Sequence, residues 1–160
     1  RVKEAINLCN EAALTDSENP YYYMLRAWIQ NDYLGNSQSA ASLYTQALDI
    51  DVFHLDNINS LRGFALLFTD RIPQGEAWLN NILTTVTDHD GHIHYLAACY
   101  YAQAGNSDRA IDCAETALKA GYANLYDWMN NNDARINVAP IRDELRFLQL
   151  INRYTGLFNR

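Results

Sequence analysis

Gly35-Asn36-Ser37-Gln38-Ser39-Ala40 and Gly105-Asn106-Ser107-Asp108-Arg109-Ala110 share four of six residues and stand 70 positions apart. The match continues at the same offset through Ala47-Leu48 and Ala117-Leu118. Halving the offset to 35 exposes a lattice: Ala5, Ala40, Gly75 and Ala110 form one column of small residues. Seven residues on, Ala12, Ala47, Ile82 and Ala117 form a second, and Ala13, Leu48, Leu83 and Leu118 a third. Three columns in one register mark a stacked repeat.

A small residue followed seven positions later by a medium apolar one spans two turns along a single helix face. The small residue lets a neighbouring helix approach, and the leucines fill the space beside it. Each period also holds an earlier helical segment, over residues 22–34, 56–69 and 92–104. Short turns separate the two helices at Gly35-Asn36, at Asp70-Arg71 with Pro73, and at Gly105-Asn106. Glycine and asparagine tolerate the left-handed conformation that closes a helix, and Ser37 and Ser107 are the expected caps of the next. The earlier helices align through Leu25-Arg26-Ala27-Trp28, Leu61-Arg62-Gly63-Phe64 and Leu96-Ala97-Ala98, with one-residue slips. The unit is a helix-turn-helix hairpin of about 35 residues, so the expected fold class is all-α.

The pattern resembles tetratricopeptide repeats. It carries small residues at Ala27, Gly63 and Ala97, turn glycines at Gly35 and Gly105, and Ala40…Tyr44…Ala47-Leu48, with Asn19-Pro20 where such repeats often break. The resemblance covers nearly the whole chain and is weakest in the third unit, where Asp70 replaces the turn glycine. It implies a right-handed α-α superhelix of stacked hairpins. The expected division of a single domain is 1–19 (the second helix of a partial first repeat), 20–54, 55–89, 90–122, and an end unit over 123–160. That last segment resembles the degenerate end unit of bacterial members, through Trp128, Asp133-Ala134-Arg135-Ile136 and Ile141-Arg142-Asp143-Glu144-Leu145-Arg146-Phe147. Its final helix, with Ile141, Leu145, Leu148 and Ile151 as the expected apolar stripe, caps the stack.

Composition excludes more than it proposes. Of 160 residues, 49% are hydrophobic and 3 are proline, enough apolar surface for a core and few breaks for long helices. A net charge of −7 disfavours nucleic acid, whose phosphates need a positive surface. No apolar run approaches the roughly 20 residues that cross a bilayer, so no membrane insertion is expected. Cys9, Cys99 and Cys113 lie far apart, a poor disulfide framework that suggests buried thiols. No phosphate loop, nucleophile elbow or His-Glu-x-x-His pair occurs. Neither an enzyme nor a cofactor is expected, and the compartment, cytoplasmic or periplasmic, is left open.

In the resembled family the first helices line the concave surface. That implies a groove of Tyr21, Met24, Trp28 and Asn31, of Asn57, Ser60, Phe64 and Leu67, and of His94, Ala98 and Tyr101. The set is neutral and aromatic, suited to an extended or apolar peptide. Some members grip a terminal carboxylate with lysine, but no lysine lies between Lys3 and Lys119. Arg26 and Arg62, at like positions, are candidate carboxylate contacts, with pairing to acids of adjacent helices as the plain alternative. His89, His92 and His94 beside Asp88 and Asp90 could hold a transition metal. Yet His92 and His94 are two apart and point to different faces of a helix, and the aspartates equally suit a cap, so no metal is expected.

The expected role is a non-catalytic scaffold for a protein or peptide. The alternative is a structural or regulatory segment of a larger protein with an enzymatic or sensor domain upstream. Residues 1–14 fit only the second-helix columns, because Ala5 and Ala12 fall on them. The apolar face of Val2, Ile6 and Cys9 is therefore expected to lack its neighbour, and self-association through it is a further expectation.

Overall fold

The computed structural model describes residues 1–50, 58–133 and 135–156, and every regular element among them is helical. The helices are α1 (Val2–Thr15), α2 (Pro20–Asp32), α3 (Ser37–Ile50), α4 (Ile58–Phe68), α5 (Ile72–Thr85), α6 (His92–Gln103), α7 (Ser107–Lys119), α8 (Leu125–Met129) and α9 (Leu145–Thr155). The starts of α1, α3, α5 and α7, at Val2, Ser37, Ile72 and Ser107, fall 35 residues apart. Asn57 and Ala134, named above, lie outside the described residues.

The caps sit one residue earlier than expected. Asn36 Oδ1 accepts from Ser39 N–H at 3.1 Å, and Asn106 Oδ1 from Arg109 N–H at 3.2 Å. An asparagine in the cap position presents its oxygen to the free amides of the first turn, leaving the serine as first helical residue. Ser37 instead donates to Asn31 Oδ1 at 3.2 Å. Gly35 and Gly105 have φ of +63° and +76°, which is why glycine ends α2 and α6 so sharply. The turn before α5 manages without glycine. Arg71 precedes the helix with no side-chain cap, and Pro73 stands in the first turn, where its missing N–H is no loss.

The chain divides into two compact units, Arg1–Asp70 and Arg71–Arg160. The boundary falls within the aberrant turn of the expected third repeat. In the first unit α1 packs on α2, α2 on both α3 and α4, and α3 on α4. Ala27, Ala40, Ala65 and Leu66 are wholly buried there, and Tyr44 and Phe64 fill the larger volumes. Gly63 permits the closest approach: a β-carbon on it would stand 2.3 Å from Tyr44 Cγ.

In the second unit α6 packs on α5 and α7, and α7 on α9. Ala110, Ala114 and Ala117 give α7 a wholly buried small stripe. Arg109 on α7 binds Glu76 and Asn80 of α5 at 3.0 Å each and stacks over the Tyr101 ring of α6 at 4.5 Å. Beyond α7, the buried Trp128 donates to Tyr122 C=O at 2.9 Å. The asparagine-rich loop is tied in by Asn131 to Tyr95 Oη and Ile136 C=O, and by Gln103 to Asn137. Arg142 binds the carbonyls of Trp128 and Asn131.

The end helix departs from expectation. It begins at Leu145, which is 71% exposed, and buries Phe147, Leu150 and Ile151; Ile141 is buried in a separate 3-10 turn, Ala139–Ile141. The turn built on Pro140 interrupts the phase that a single stripe from Ile141 to Ile151 assumed, so the apolar face re-starts two residues later.

Candidate functional site

An exposed apolar cleft of the first unit lies between α1 and α2. α1 carries apolar residues on more than one face: Cys9 is buried, yet Leu8 is 61% and Leu14 85% exposed. Leu8 joins Val2, Ala5 and Cys9 as one wall of a cleft, with Arg1 at its end. Leu25, Trp28, Ile29 and Tyr33 of the α2 segment form the other wall, and the volume is about 410 Å³. Trp28 and Tyr33 meet edge to face, ring centroids 5.4 Å apart, so the aromatic wall is braced within its own helix. A cleft of this size, walled by aliphatic and aromatic side chains, accepts apolar side chains rather than performing acid–base chemistry.

The residues named for the concave groove divide by burial. Met24, Asn31, Ser60, Phe64 and Tyr101 are buried, as is Ala98, so in this structure they build the core. Ser60 Oγ donates to Met24 Sδ at 3.0 Å, and Tyr101 Oη to Asn80 Oδ1 at 3.4 Å. Tyr21 is exposed, while Arg26, Trp28, Leu67 and His94 are half-buried. Tyr21, Arg26, Trp28 and Leu67 belong to the first unit, His94 and Tyr101 to the second. Only Trp28 of the set lines the cleft.

The two arginines differ. Arg62 Nη2 on α4 lies 3.0 Å from Asp32 Oδ1 on α2, so its guanidinium already holds a carboxylate of a neighbouring helix. Arg26, half-buried on α2, makes no ion pair among the described residues.

The histidine turn acts as a cap. Asp90 Oδ1 accepts from His92 N–H at 3.0 Å, and Asp88 accepts from the N–H groups of Ile93 and His94 at 3.3 and 2.9 Å. The His94 ring adds a contact from Nδ1 to Asp88 Oδ2 at 2.5 Å. Burial pushes the Asp88 carboxyl up, but the hydrogen bonds from the His94 ring and the two amides outweigh it and hold it below its usual 3.8. Among the described residues no three His, Cys, Asp or Glu side chains gather as a metal would require.

The three cysteines are buried and unbridged. Burial pushes the Cys113 thiol up to about 11 and the Cys99 thiol higher, which suppresses the thiolate a nucleophile needs. Burial likewise raises the Tyr101 phenol to about 12.

Val2 and Cys9, expected on an apolar face that lacks its neighbour, both line the cleft; Ile6, expected with them, does not. Leu8, Leu25, Ile29 and Tyr33 were not expected there. The signal was present: Leu8 stands 35 residues before Leu43, and Leu25 stands 36 before Leu61, both core positions. No helix among the described residues is long and apolar enough to cross a membrane. No protein-family model, curated protein or solved structure matches the chain.

Proposed function

We propose that the chain is a non-catalytic interaction scaffold, with hairpins of the tetratricopeptide kind belonging to a right-handed α-α superhelix, and that it binds a protein or peptide segment. The repeated 35-residue interval of α1, α3, α5 and α7 supports the architecture. One observation carries the binding role: the accessible apolar cleft between α1 and α2. Apolar surface of this kind, left open beside a packed core, marks contact sites in soluble proteins. The place of binding thereby moves from a groove of first helices, half of whose named members are buried, to the cleft that Trp28 shares with α1.

The role is tested by panning a displayed peptide library on the 160-residue chain. Enriched peptides are expected to be apolar and to lose binding to the Leu8→Asp variant, because an apolar occupant would have to desolvate the carboxylate placed on the cleft wall. Enriched peptides that bind wild type and Leu8→Asp equally would refute the cleft as the site.

A further inference from the structure

The same chain holds a filled copy of the cleft. α3 and α4 stand one repeat along from α1 and α2, and α2 packs against both of them. Positions that are open in the cleft are closed there. Leu8 is 61% exposed and its counterpart Leu43 8%; Ala5 is half-buried and Ala40 fully buried. On the other wall Leu25 and Trp28 are half-buried, against 2% and 1% exposure for Leu61 and Phe64. The offsets are 35 for the α1/α3 pairs and 36 for the α2/α4 pairs, one value for each helix.

Charge completes the correspondence. Arg62 of α4 holds Asp32, the last residue of α2. Its counterpart 36 residues earlier is Arg26, half-buried on α2, next in sequence to Leu25 of the cleft wall and with no ion pair among the described residues. An occupant seated on α1 and α2 as α2 sits on α3 and α4 would bring a carboxylate to Arg26. Such a contact would favour one direction of the incoming helix over the other.

We propose that the α1/α2 cleft seats an amphipathic α-helix of a partner polypeptide, patterned like α2. That helix carries an apolar residue, a small residue three positions on, a short polar side chain four beyond that, and an acid next to it. These are the places of Met24, Ala27, Asn31 and Asp32. The inference rests on the cleft being the binding site and adds the form of what binds: helix-in-groove rather than extended peptide.

The test uses the 160-residue chain and a fluorescein-labelled synthetic peptide of residues 17–36, followed by anisotropy. Saturable binding is expected, weakened about tenfold or more by Leu8→Asp or by Tyr33→Asp on the opposite wall. Both side chains are more than half exposed, so neither substitution disturbs the core. Leu14→Asp, 85% exposed and outside the cleft, is expected to change nothing. A peptide carrying Asp32→Lys is expected to bind about two- to fivefold more weakly, with binding restored by Arg26→Glu in the chain.

Restoration by Arg62→Glu instead would show that the peptide had exchanged with α2, and would overturn the proposal. A dimer in light scattering that Leu8→Asp splits would overturn it by placing a second copy in the cleft. If panned peptides depend on Leu8 but stay non-helical and do not compete with the 17–36 peptide, the helix proposal fails while the scaffold reading stands. If no peptide depends on Leu8, both fail.

Discussion

Gly63→Ala sets two effects of opposite sign against each other, and the structure decides between them. Gly63 lies inside α4, where replacing glycine by alanine ordinarily stabilises a helix by about 1 kcal/mol. Here the added β-carbon would stand 2.3, 2.4 and 2.5 Å from Cγ, Cδ1 and Cβ of Tyr44 on α3. Turning the Tyr44 ring leaves the contact with its Cβ, which the α3 backbone fixes, and a side chain 1% exposed has little room to turn. The helices must part by nearly an ångström, and overpacking of this kind costs roughly 3 kcal/mol at the upper end of its usual range. The expected net loss is about 2 kcal/mol, a fall of roughly 4–8 °C in Tm for a chain of this length. Circular dichroism melts measure it. A Tyr44→Ala background removes the contacts with Cγ and Cδ1 but keeps the one with Cβ, so there the loss from Gly63→Ala is expected to be smaller but not reversed. A Gly63→Ala variant at or above the wild-type Tm, or one whose loss is undiminished with Tyr44→Ala, would refute the close-approach account.

Three further outcomes follow from the second unit. Gly91→Ala is expected to destabilise more than Gly105→Ala in urea titrations: both have positive φ, worth about 1–2 kcal/mol, but only Gly91 would also drive a β-carbon to 2.3 Å from Ala117 C=O. Asp88 has a depressed folded-state pKa, so its contribution is fully present above the unfolded value of 3.8 and is lost as pH falls through the lower folded value. Melts between pH 2 and 6 should show that acid-dependent loss, and Asp88→Asn should flatten it while lowering stability at pH 6. Arg146 holds Asp108 and Asp112 at 2.7 Å each, but all three side chains are more than half exposed; Arg146→Ala should cost at most about 1 kcal/mol at low salt, and the difference from wild type should shrink in 1 M NaCl.

The second helices were legible in the sequence because several constraints coincide on them. Ala40, Ala47, Ala110 and Ala117 are all buried at helix contacts, where any larger residue would overfill the space, so the small columns survive as a pattern. Asn36 and Asn106 were legible as turn residues but not as caps, since serine and asparagine compete for one role and only backbone placement assigns it. The end helix was misphased because nothing in residues 141–151 announces that the Pro140 turn ends before the helix begins. The groove residues were harder still. A first helix packed on three sides buries its apolar and polar residues alike, as Met24 and Asn31 on α2 show, and residue type alone does not separate a lined surface from a filled one. The cleft was half legible: Val2 and Cys9 were marked by their column, but Leu8 looks like any other core leucine until its wall is found open.

The two offsets, 35 for second helices and 36 between α2 and α4, have one physical cause. A single residue inserted within a helix turns everything beyond it by about 100° and would carry Leu25, Ala27 and Trp28 off the faces their counterparts occupy. All four residues of Leu25-Arg26-Ala27-Trp28 instead shift together onto Leu61-Arg62-Gly63-Phe64, so the extra residue lies outside the matched stretch and the face is kept whole. Within that face size can be traded between positions. Gly63 stands where Ala27 does, because its neighbour on α3 is Tyr44, whereas the residue at that place on α1 is Cys9. Cys9 and Ala27 are both buried, so a smaller residue on α1 is met there by a larger one on α2 and the contact stays filled. The cleft opens where Leu8, Leu25 and Trp28 lack a covering helix of the kind that α2 gives α3 and α4.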